Sequence, residues 1–141
     1  MRISRNEFED TVEKALEMIP EIFRAQLNNM TITVEDLPSQ DLLREMEMSP
    51  DEMLFGVFTG VPLPERSVTE PPLYPDVIII FREPLMSACQ SFKELEKEIA
   101  ITVVHELAHY LGLSEERLEA TRLRLTPNDS GMYHQSIAIQ W

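Results

Sequence analysis

At 141 residues, with 43% hydrophobic content, the chain suits one compact domain over 1–141 with a single apolar core rather than disorder or two independent units. Its formal charge of −13, from 25 acidic against 12 basic residues, argues against partners with phosphate backbones or anionic membrane surfaces. Cys89 is the only cysteine, which excludes an internal disulfide and a four-cysteine metal site.

From Ser4 to about Leu27, the apolar residues Phe8, Val12, Leu16, Ile19 and Phe23 recur at steps of three and four. That is the pattern of an amphipathic helix with one buried stripe, kinked or divided by Pro20. The acidic and basic residues Glu7, Glu9, Asp10, Glu13 and Lys14 interrupt any apolar run of signal-peptide length, and no segment approaches the roughly 20 apolar residues of a membrane span. A reducing cytoplasm is the expected compartment.

The segment MTITVEDLP alternates Ile32 and Val34 with threonines and reads as a short strand ending before Pro38. DLLREMEM predicts a short helix. Residues 54–61, LFGVFTGV, predict a strand whose glycines permit a bend or a close backbone approach. Five prolines, Pro62, Pro64, Pro71, Pro72 and Pro75, then make a stiff, extended loop.

Val77 to Phe81 is an unbroken apolar run rich in β-branched residues, the composition of an internal strand covered on both faces. Ser91 with Glu94 three residues on is a capping-box signature. The helix it opens runs to Gly112, a natural stop. Ser114 could cap a further short helix to about Arg124. The last residues pair turn chemistry with an alternating Ile137 and Ile139, predicting a strand or a packed tail.

The long helix carries the chemistry. In TVVHELAHYLG, His105 and His109 lie about 40° apart around the axis at roughly 100° per residue, so both rings project from one face and can share one ion. Ile99, Val103, Leu107, Tyr110 and Leu111 occupy another arc, which leaves the imidazoles free to face a cleft. Glu106 stands at the margin of the histidine arc, where a carboxylate reaches a metal-bound water without ligating: the position of a general base.

Two imidazoles do not complete a catalytic zinc site, which ordinarily takes three protein ligands and one open position. Gly112 allows a sharp turn, and Glu115 follows it in the order H-E-x-x-H-x-x-G-x-x-E, where metzincin-type sites place a third ligand. Glu116, Glu119 and His134 are the competitors for that place. Tyr133 and His134 are candidates to stabilise an oxyanion, while Met132 after Gly131 is more simply a packing residue. Gly60 either admits a substrate backbone to the edge strand or serves an ordinary turn, and Cys89 fits a small buried hydrophobe.

Together the segments FGVFTGVPLPERSV, PDVIIIFREPL and VVHELAHYLGLSEERLE resemble a small bacterial family of minimal zincin-like metallopeptidases. The resemblance covers about residues 5–120, and HExxHxxG is its most specific part. It implies a compact α+β fold, a small mixed sheet packed on an N-terminal helix and an HExxH helix. It also implies zinc as cofactor and a peptide or protein as substrate.

Family members often carry an acidic residue at the place of Glu115, so the resemblance favours His105, His109 and Glu115 as metal ligands and Glu106 as the catalytic base. They commonly have two adjacent histidines where this chain has His109 followed by Tyr110, a departure that leaves both ligands intact. Residues 126–141 lie beyond the resemblance and form a C-terminal extension to which nothing carries over. A non-proteolytic zinc-binding or interaction module on the same fold is the alternative, and metal-dependent hydrolysis of another amide or ester a third reading.

Overall fold

The computed structural model describes residues 1–49, 52–60 and 76–112. Helix α1 spans Arg5–Glu17. Its start is fixed by Ser4, whose hydroxyl accepts from the Glu7 amide over 3.1 Å, while the Glu7 carboxylate accepts from the Ser4 amide over 3.0 Å. That reciprocal box satisfies two donors the helix leaves orphaned. Phe8, Val12 and Ala15 are buried along one stripe.

The periodicity continues past Glu17, but the helix does not. The residue before a proline is pushed out of helical conformation, and Pro20 lacks the N–H a continuing helix needs. The chain therefore restarts as α2, Glu21–Arg24, and tightens into a 3-10 turn over Ala25–Asn29. Ile19 remains buried across the break, with Leu16, Phe23 and Leu27 packed against the same core.

Among the described residues, three strands form one sheet: β1 Thr31–Glu35, β2 Gly56–Thr59 and β3 Val77–Phe81. Their spatial order is β1-β3-β2. β3 pairs parallel with β1 and antiparallel with β2. The β2 expected over residues 54–61 is regular over a shorter span within that window.

The apolar run of β3 sits centrally because both faces are covered, as its composition required. Ile78 and Ile80 enter the main core shared with α1 and the long helix. Ile79 and Phe81 point the other way, where Leu54, Val57 and side chains of α3, Gln40–Glu45, cover them. Ser39 caps α3 by accepting from the Leu42 amide.

One element escaped the sequence reading. Helix α4, Arg82–Ala88, follows β3 without a connecting loop. Pro84 sits in its first turn, where no intrahelical donor is needed, and Leu85 and Met86 are buried. Helix α5, Phe92–Leu111, packs on α1, β2 and β3. Helices on a small mixed sheet make an α+β fold, as expected. Among the described residues, no helix is long and apolar enough to cross a membrane.

Candidate metal centre

Helix α5 is fixed at both ends. The Ser91 hydroxyl accepts from the Glu94 amide over 3.1 Å. Glu94 in turn accepts from the Gln90 amide, one residue before the partner an ideal capping box would use. At the other end Gly112 adopts φ 70°, left-handed, the conformation that closes a helix at least cost with glycine.

Three ridges along α5 divide the work. Ile99, Val103 and Leu107 are wholly buried and anchor the helix in the core. Thr102, Glu106 and Tyr110, at steps of four, are also buried, and contacts from all three reach β2. His105 and His109 form the third ridge.

The two rings are half-buried, with centroids 6.2 Å apart and planes inclined by 43°. Both Nε2 atoms are shielded from solvent. Two imidazoles on one tetrahedral zinc ion put their ring centres roughly 5.3 Å apart, given Zn–N bonds of roughly 2.1 Å and the ring radius. The observed 6.2 Å is wider than that, so the two rings must turn toward each other to share one ion. Burial, then the neighbouring His105, pushes the His109 pKa down to about 3, so its imidazole is neutral at physiological pH, the form that binds a metal.

Glu106 is more deeply placed than its helical-wheel position suggests, with 1% of its surface exposed. Its Oε1 accepts from the Phe58 amide of β2 over 2.8 Å. Its Oε2 is buried and has no hydrogen-bond partner among the described residues. Burial pushes the pKa up to about 8, and the Phe58 hydrogen bond, which favours the charged form, works against that rise. An adjacent divalent cation acts in the same sense as the hydrogen bond.

The chain matches the model of a family described as zincin-like metallopeptidases over residues 27–124. It belongs to that family. No curated protein is significantly similar to it. The match takes in all three strands, α4, α5 and the residues through Arg124. A zincin-like metallopeptidase is by description a metal-dependent hydrolase of peptide bonds, and zinc is the ion implied.

The residues present fit such an ion: two imidazoles on one ridge, each with a buried Nε2, the His109 ring neutral, lie on the ridge next to a buried carboxyl. His105 and His109 are brought together as expected, and Glu106 lies on the neighbouring ridge. Glu115 and its competitors Glu116, Glu119 and His134 lie outside the described residues, as do Met132 and Tyr133. Among the described residues, no group of three or more His, Cys, Asp or Glu side chains comes together.

Tyr110 is core, as its arc indicated. Gly60 adopts φ 143°, and a Cβ there would stand 2.5 Å from Asp76 Oδ1. Its glycine is explained by a bend packed on Asp76, the simpler of the two roles considered. Cys89 is buried, with its pKa pushed up to about 12 by burial and then by Glu98 and Glu94; it is an inert hydrophobe.

One feature of the site went unread and another was read only in outline. The Phe58 amide has no signature in residue type, because every non-proline residue carries the same donor. Gly56 did leave a signal, a glycine inside a strand pattern. A Cβ there would meet Thr102 Cγ2 at 2.7 Å and the Ile79 carbonyl at 2.9 Å.

Proposed function

We propose that this protein is a zinc-dependent metallopeptidase of the cytoplasm, with His105, His109 and Glu115 holding the ion and Glu106 as the general base. The observation that carries the reading is the HExxH geometry in a chain of this family. Two half-buried imidazoles share one ridge, and a buried carboxylate stands on the next. Bound zinc supplies Lewis acidity, lowering the pKa of water to about 7 and polarising a scissile carbonyl.

The chain's own groups do the rest. With Oε1 bonded to the Phe58 amide, Oε2 of Glu106 is the atom that takes the proton of the attacking water and passes it to the leaving amine. Peptide or protein substrate lies extended along β2, an edge strand among the described residues. Phe81 donates to Phe55 across the β2–β3 ladder over 2.9 Å. By the antiparallel alternation, Gly56 and Phe58 therefore turn their main-chain groups away from β3. The Phe58 carbonyl is the candidate to align a substrate strand.

The test is the Glu106→Gln variant, which should bind zinc as the native chain does while losing hydrolysis of a peptide library. Undiminished cleavage would refute the base assignment. A second reading, a zinc-binding module that does not cleave, would use the same pair of imidazoles. Absence of chelator-sensitive cleavage by fully zinc-loaded protein would select it.

A further inference from the structure

Strand β2 and helix α5 lie side by side in matched steps. Two strand residues advance about 6.6 Å and four helical residues about 6.0 Å, so Gly56 and Phe58 fall opposite Thr102 and Glu106. Both contacts are close. A side chain at Gly56 would strike Thr102 at 2.7 Å, and the Phe58 N–H donates to Glu106 Oε1 at 2.8 Å. The Phe58 ring meets Tyr110, the next residue on that ridge, edge-on with centroids 5.7 Å apart.

The Phe58 N–H is not a ladder donor. It belongs to the class of β2 residues that face away from β3, and an edge strand presents such groups to whatever adds there. Here the occupant is a buried carboxylate of the chain itself. A carboxylate held at one oxygen by a fixed main-chain donor keeps one orientation, which is what proton transfer at the other oxygen requires.

We propose that the main-chain N–H of Phe58 is a positioning group for Glu106, with Gly56 keeping β2 close enough to α5 for that bond to form. The role rests on the assignment of Glu106 as general base. It also shapes recognition: a substrate strand docking on β2 uses the Phe58 carbonyl but not its N–H, which Glu106 retains.

Amide hydrogen exchange on the full zinc-loaded chain tests the contact without any substrate. The Phe58 amide should exchange at least about tenfold faster in Glu106→Ala than in the native chain. In Glu106→Gln, whose side-chain oxygen still accepts, protection should be kept. The Phe81 amide, bonded within the ladder, is the internal standard for intact folding. Equal Phe58 exchange in the native chain and Glu106→Ala, with Phe81 unchanged, would overturn the proposal.

Replacing Phe58 by the corresponding α-hydroxy acid removes the N–H and keeps the ring. The positioning role requires kcat to fall about tenfold or more, with KM within about twofold and zinc content unchanged. A raised KM with unchanged kcat would instead give the N–H to substrate and overturn the role. If no peptide is cleaved by the native chain, the peptidase reading fails, while hydrogen exchange still decides whether Phe58 holds Glu106.

Discussion

The two outer strands of the described sheet meet side chains by opposite means. Along β1 the Arg5 guanidinium donates to the Val34 carbonyl over 2.6 Å and pairs with Glu9 and Asp36. Those side chains are half exposed, at 50% for Arg5 and Glu9 and 57% for Asp36, so water competes for every contact. Along β2 the Phe58 amide meets a carboxylate that is almost wholly buried. Charge on an exposed arginine costs little, whereas a carboxyl out of water is expensive, and a proposed role as general base is what Glu106 would gain from its place.

That contrast breaks most sharply at Glu106. Glu106→Gln should lower peptide hydrolysis about 10²–10⁴-fold, measured as kcat/KM, whereas Arg5→Ala should leave it within about twofold. Comparable losses from both would erase the distinction between a catalytic and a structural edge.

Gly56→Ala acts next in size. The added methyl meets both Thr102 and the Ile79 carbonyl, and overpacking of this kind costs about 1–3 kcal/mol. Urea denaturation of the metal-free chain should show that loss. Adding Thr102→Ser, which removes the nearer obstacle, should restore part of it.

Arg5→Ala should cost less than about 1 kcal/mol, diminishing further in high salt as exposed pairs are screened. Cys89, on neither edge, should change least. At pH 9 a free thiol near 8.5 is mostly ionised, but Cys89 at about 12 stays protonated and should resist alkylation until the chain unfolds. Because its folded pKa is raised, its linkage weakens stability only as pH climbs above the unfolded value, between about 8.5 and 12.

Much of this arrangement was legible in residue order. Ser91 and Gly112 bound α5, the β-branched run of β3 demanded cover on both faces, and the histidine spacing placed two rings on one ridge. Helix α4 was hidden because its seven residues are too few to display a period against the apolar run before them. The depth of Glu106 was hidden for another reason: a helical wheel gives direction around the axis, not what stands opposite, and the Phe58 of β2 that meets Glu106 comes from 48 residues earlier in the chain.

The most direct measurement is the zinc content of the purified chain beside that of the His105→Ala, His109→Ala double variant, by elemental analysis after equilibration with zinc and removal of excess. About one zinc per native chain and essentially none in the variant is the expected result. A native chain without zinc, or a variant that retains it, would contradict the metal centre on which the function depends.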